Sequence, residues 1–206
     1  MIVHGSTASP FVRKVCTLLA EKGVPYERRD LVPVPKTPAL LAKHPLGKIP
    51  ILELDDGTYV PDSSVIALYL ERIQPAPAMY PADAKEYARA LFLEEYADTR
   101  IFDVAGGLLV ERFVKPRLFG QPADERRVAA ILAEELPAVC DWLEPQVHPE
   151  RDTLLPAFGI ADAAIDAHLG VLPVVGEGVD PQRWPRLARY LDRLWARPSF
   201  QATAPG

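Results

Sequence analysis

Two cysteines in 206 residues, a deficit of positive charge, and the lack of any unbroken apolar run near the ~18 residues that span a bilayer narrow the possibilities first. Cys16 and Cys140 lie far apart without metal-ligand spacing, which excludes a disulfide scaffold and a zinc site and suits a reducing, cytoplasmic setting. Lys and Arg number 23 against 28 Asp and Glu, a formal net charge of −5, which opposes attraction to nucleic acid or to an anionic membrane. The start Met1-Ile2-Val3-His4-Gly5 has no basic stretch leading into an apolar one, so neither secretion nor membrane insertion is expected. What is present is ordinary globular composition, 49% apolar and 25% charged, in a chain long enough for two small domains.

The order of elements is legible along the first third. Residues 1–5 read as a strand ending at Gly5, and Phe11, Val15, Leu18, Leu19 and Lys22 recur at helical spacing until Gly23-Val24-Pro25 stops them. Tyr26 to Val32 reads as a second strand, completing a βαβ unit, and a short helix is expected near 38–43. Ile51-Leu52-Glu53-Leu54, the turn Asp55-Asp56-Gly57 and Thr58-Tyr59-Val60 form a hairpin. A helix follows from Ser63 to Ile73, and the prolines of Gln74-Pro75-Ala76-Pro77 break the chain. The expected domains are residues 1–76, ordered βαβαββα, and residues 84–206, all-helical, with helices near 84–114, 123–146, 159–172 and 184–197.

Ser9-Pro10-Phe11 stands where the first strand hands over to a helix. Taken alone, Ser before Pro is a good N-cap followed by a good first helical residue. The same holds for Asp62-Ser63 before the third helix, so neither pair by itself implies chemistry.

Together with the element order, these stretches resemble the glutathione transferase superfamily, and most closely its cytosolic, bacterial, Ser-type members. The resemblance implies a thioredoxin-like N-terminal domain followed by an all-α domain. It also implies that the Ser9 hydroxyl points at the sulfur of glutathione, with Phe11 beside it. Omega-type and glutaredoxin-like relatives carry Cys at this place, and a hydroxyl cannot form the mixed disulfide of thiol exchange. His44-Pro45-Leu46-Gly47-Lys48-Ile49-Pro50 is similar to the family's Asn-Pro-x-Gly-Lys-Val-Pro, which implies a cis Ile49–Pro50 bond and pairing of the Ile49 backbone with the cysteinyl unit of glutathione. Val60-Pro61-Asp62-Ser63-Ser64 matches the Asp-Ser or Glu-Ser pair that holds the γ-glutamyl group. There Ser63 and nearby amides would take the α-carboxylate and Asp62 the α-ammonium. Lys36, by a tau-like pattern, or Lys48 would meet the glycine carboxylate.

In the helical part, Phe158-Gly159-Ile160-Ala161-Asp162 resembles the family's capping box with Gly159 in the hydroxyl position, and Asp162 reads as structural. The resemblance further implies a site for an electrophile between the domains, for which Ala8, Phe11, Tyr96, Thr99, Phe102 and Asp103 are candidates. It implies a homodimer as well. The expected activity is that of a glutathione S-transferase, joining the glutathione thiolate to small hydrophobic electrophiles in detoxification, with no metal. The alternatives are a zeta-like isomerase or dehalogenase, from which the sequence departs because Ser9 is not within Ser-Ser-Cys, and a non-catalytic binding or regulatory protein.

Overall fold

The computed structural model describes residues 1–204, which fall into two compact units, Met1–Tyr80 joined by the chain from Pro198, and Pro81–Arg197. In the first unit β1 (Ile2–His4), α1 (Pro10–Glu21), β2 (Glu27–Arg29), α2 (Pro38–Lys43), β3 (Ile51–Glu53), β4 (Tyr59–Pro61) and α3 (Ser63–Ile73) follow one another. The sheet order is β2-β1-β3-β4. β1 and β2 run parallel, as a connection through a helix requires, and β3 pairs antiparallel with both β1 and β4. This is the thioredoxin-like arrangement.

The apolar spacing of α1 explains how it seats. Val12, Val15 and Leu19 are fully buried together with Val3, Leu52, Ile66 and Leu70 of the sheet and α3. Each such side chain contributes roughly 1.5–3 kcal/mol. The second strand is shorter than the sequence pattern suggests, with only Glu27–Arg29 paired rather than Tyr26 to Val32. It is an edge strand, and beyond it Pro33 and Pro35 have no N–H to extend a ladder.

Lys22, at the end of the helical spacing, is not an apolar-face residue. Its buried Nζ donates to Gln74 O at 2.7 Å and Pro77 O at 2.9 Å and pairs with Glu71 at 2.7 Å, so the ammonium is fully satisfied. Residues 198–204, which the sequence places with the helical domain, instead pack on α1. Ser199 Oγ donates to Glu21, and the hydroxyls of Thr17 and Thr203 share a hydrogen bond at 3.1 Å.

Among the described residues the second unit contains helices and no strand. Its longest rod runs over residues 84–119: α4 (Ala84–Tyr96), a π-wound stretch Ala97–Gly106, one α turn Gly107–Leu109, and a further π-wound stretch Val110–Phe119 that ends at Gly120. Helices Glu125–Ala130, Leu136–Leu143, Ile160–Leu169 and Pro185–Trp195 complete the unit. Asp162 organises its centre. It is fully buried and accepts from Leu154 N at 2.9 Å, Gly159 N at 3.0 Å and the Tyr190 hydroxyl at 2.8 Å, which makes the N3-to-N-cap half of a capping box with Gly159 as N-cap.

Candidate functional site

Strand register puts three loop ends in one row. His4 pairs with Ile51 and Ile51 pairs with Pro61, so Gly5, Pro50 and Asp62 all leave the sheet at the same edge. Gly5 has φ +150, and a Cβ there would lie 2.5 Å from Val12 Cγ2 and 3.4 Å from Ile49 Cβ. The bare backbone is what lets Val12, in the first turn of α1, pack directly against Gly5.

Ser9 opens that turn. Its backbone is extended at φ −79 and ψ 125, Pro10 occupies the first helical position, and Arg13 N donates to Ser9 O at 3.1 Å. The loop before it is braced by Ser9 N to Ser6 O at 3.0 Å, Ala8 N to Ser6 Oγ at 3.3 Å and Arg13 Nη1 to Thr7 O at 3.2 Å. The Ser9 side chain makes no capping hydrogen bond, whereas Thr37, Asp62, Asp83 and Asp124 all cap their helices. Capping therefore does not account for the Ser9 hydroxyl. Phe11 is half-buried two residues on.

The loop after α2 carries the next group of candidates. Gly47 has φ +60, and a Cβ on it would meet Lys36 Cδ at 2.9 Å and Cγ at 3.0 Å, so the Lys36 stem lies across Gly47 next to Lys48. The Lys36 stem thus packs on the residue that precedes Lys48, and both lysines are exposed. The Ile49–Pro50 bond is cis. Pairing of β3 begins at Ile51, which leaves the Ile49 N–H and C=O outside the ladder.

Asp62 is the one non-glycine residue with positive φ among those described, at 76. Such a conformation costs on the order of 1–3 kcal/mol and is found where surrounding structure enforces it, often at binding sites. The carboxylate Oδ1 accepts from Ser64 N at 2.9 Å and Val65 N at 3.1 Å, and Ser63 is buried as the first residue of α3. Buried Lys14 donates from Nζ to Ser64 Oγ at 3.2 Å, tying α1 to the start of α3. Sequence reasoning missed Lys14, whose only sign was a cation on the otherwise buried face of α1. The row therefore presents two helix N-termini, two lysines and one carboxylate. That distribution suits a zwitterionic ligand with more than one carboxylate.

The cysteines stand apart from this row. Burial raises the Cys16 thiol, which a hydrogen bond from Tyr26 only partly offsets, and burial pushes Cys140 up to about 12. Both thiols are inert and protonated at neutral pH. Among the described residues no cluster of His, Cys, Asp and Glu could hold a metal ion, and no helix is long and apolar enough to cross a membrane.

The candidates in the helical unit have separate surroundings. Tyr96 stacks on Trp142 with centroids 4.2 Å apart, and the Thr99 hydroxyl donates to Glu95 O at 2.6 Å. Phe102 and Asp103 line a cavity of about 220 Å³ with Gly106, Gly107, Val110, Glu111 and Arg127. A Cβ on Gly106 would lie 2.6 Å from the Phe102 ring, so the glycine makes room for the aromatic wall.

Comparison with known proteins gives a consistent result. The family described as glutathione S-transferase, N-terminal domain, matches residues 3–78. The uncharacterized GST-like protein YibF of Escherichia coli (strain K12) is 32% identical over 212 residues, covering 100% of this chain and 98% of YibF. A glutathione S-transferase from Rhodospirillum rubrum F11 superposes with a TM-score of 0.91 at 25% identity, covering 98% of this chain and 90% of that one. A glutathione S-transferase from Methylobacterium radiotolerans, solved in complex with glutathione sulfonate, superposes with a TM-score of 0.80 at 30% identity over 99% of this chain and 94% of that one.

Proposed function

Because the chain belongs to the glutathione S-transferase family, we propose that it binds glutathione along the Gly5–Pro50–Asp62 row and joins its thiolate to small hydrophobic electrophiles. The observation that carries this reading is the Ser9 hydroxyl, which sits at the start of α1 and is not used to cap it. It donates to the ligand sulfur. The Ile49 backbone pairs with the cysteinyl unit, Pro50 fixes its direction, Ser63 and the first amides of α3 receive the α-carboxylate, Asp62 Oδ2 meets the α-ammonium, and Lys36 and Lys48 flank the glycine carboxylate.

The energetics are adequate. Bringing a thiol of pKa ~8.5 down by about two units requires roughly 2.7 kcal/mol. One hydroxyl bond to a charged acceptor supplies about 1.5–3 kcal/mol and a helix N-terminus about 0.3–1 kcal/mol. The thiolate lone pair then forms the S–C bond. The displaced electron pair leaves with the leaving group or moves onto the acceptor atom, which takes a proton from solvent. Ser9 stays a donor throughout, so no catalytic triad is needed. Ala8 and Phe11 lie beside the sulfur and contribute to the electrophile's surroundings. A cytoplasmic homodimer is part of the proposal. Val65 and Leu68 of α3 are 51% and 43% exposed, an apolar face suited to a second copy.

Replacing Ser9 with Ala tests the reading. Glutathione binding should persist, the apparent thiol pKa should rise by one to two units, and conjugation at pH 7 should fall about 10–100-fold. An unchanged pH–rate profile in S9A rejects the role of the hydroxyl. Lack of thermal stabilisation of the unaltered protein by millimolar glutathione rejects the site itself.

A further inference from the structure

His44 lies in the loop proposed to bind glutathione, at the place where the family motif has Asn, and the site as described gives it no task. It is 5% exposed. Its backbone N–H closes α2 on Leu40 O at 2.9 Å, and its C=O accepts from Gly47 N at 2.7 Å. Its ring Nδ1 accepts from Leu46 N at 3.3 Å. Three hydrogen bonds from one residue thus shape 44–47, the turn that delivers Lys48 and Ile49 to the sheet edge. An Nδ1 that accepts carries no proton, so the ring is neutral with its hydrogen on Nε2. The charged groups whose fields act on the ring are Asp62 at the start of α3 and Lys48 of the same loop.

We infer that His44 is a positioning residue for glutathione: its neutral imidazole holds the turn through the Leu46 N–H, and a proton taken up from solvent at Nδ1 releases it. The protonated ring has two N–H donors and no acceptor, so the Leu46 amide faces a donor and the turn must open. Lys48 and the Ile49 backbone then lose their placement, and glutathione binding weakens. Burial is the main cause that lowers the ring's pKa, helped by Lys48 and opposed by Asp62. Such a group is neutral and the turn intact above the ordinary histidine value of about 6.5, and the hold is lost as pH falls through its lowered folded value. Asn is the informative replacement because its Oδ1 can accept the same N–H two residues on without titrating.

This inference rests on the proposed glutathione site, and two readouts separate their failures. The first is the affinity of the full-length protein for S-methylglutathione, which has no thiol proton to confuse the profile, measured by calorimetry from pH 7.5 to 5.0. The wild type should lose about tenfold in affinity on acidification, the scale of one hydrogen bond. His44→Asn should bind as the wild type does at pH 7.5 and stay within about twofold of that across the range. Parallel profiles in the two proteins, or a flat wild-type profile, overturn the inference. The second readout needs no ligand: hydrogen exchange of the Leu46 amide should lose protection on acidification in the wild type and not in His44→Asn. Protection that responds identically in both overturns the role of the ring even if S-methylglutathione binds. No binding at pH 7.5 with the expected exchange behaviour supports His44 as the holder of the turn while rejecting the glutathione site.

Discussion

Asp62 and Asp162 each tie down the start of a helix, and they do so in opposite surroundings. Asp162 is fully buried and accepts three hydrogen bonds, two from backbone amides and one from Tyr190. Asp62 is exposed, holds its backbone at φ 76, and uses one oxygen on two amides. A buried group with a complete set of partners has nothing left to offer a ligand. An exposed one held in a costly conformation retains a free edge. The same contrast separates Lys22, whose ammonium is saturated by two carbonyls and a carboxylate, from Lys36 and Lys48 at the sheet edge.

The comparison breaks most visibly at Asp162. Replacing it with Ala leaves the Leu154 and Gly159 amides and the Tyr190 hydroxyl without their acceptor, and should cost about 3–5 kcal/mol. For a chain of this size that lowers the melting temperature by about 10 °C or more. A loss below 1 kcal/mol in chemical denaturation erases the distinction between the two aspartates.

A smaller effect follows from the Asp162 proton. Burial raises its pKa to about 6 against an ordinary 3.8, despite the hydrogen bonds that pull it down. A folded value above the unfolded one means that the protonated group's stabilisation is complete below pH ~4 and is lost as pH rises through ~6. The stability difference between the wild type and Asp162→Asn should therefore shrink from pH 4 to pH 6. A difference that grows over that interval contradicts the assignment.

At Asp62 the expected change is in binding rather than folding. Glycine accepts φ 76 without strain but removes the cap, and the two effects offset to within about 1 kcal/mol. Affinity for glutathione should nonetheless fall about tenfold. A variant that binds normally removes Asp62 from the proposed site. The smallest effect is on the stability of Ser9→Ala, expected within about 0.5 kcal/mol because no capping bond is lost. A cost near 1 kcal/mol, read from the unfolding midpoint, means that the hydroxyl caps α1 after all.

Much of this was legible in the chain. The sequence signals at Gly23, Asp55-Asp56-Gly57 and Gln74-Pro75 mark ends that the structure also has, because glycine and proline act through their own backbone limits. The capping box at Gly159 and Asp162 was equally readable, since it needs only a fixed spacing. Others were not. Lys22 reads as one more helical position, and its saturation depends on carbonyls 52 and 55 residues away. The short β2 depends on its being an edge strand, and the return of the chain after Arg197 to α1 rests on side-chain hydrogen bonds spanning 178 and 186 residues.

Local rules, acting over a few residues, set the order of elements, the family resemblance and the placing of Ser9 at a helix start, and these the sequence determined by itself. Whether the Ser9 hydroxyl caps its helix, whether the Lys36 stem packs on Gly47, and how Gly5, Pro50 and Asp62 come to share one edge were decided only by the tertiary structure. The reason is physical. Capping and proline or glycine geometry are properties of neighbouring peptide units, whereas register and close approach are fixed by strands and side chains that meet only after the chain has folded.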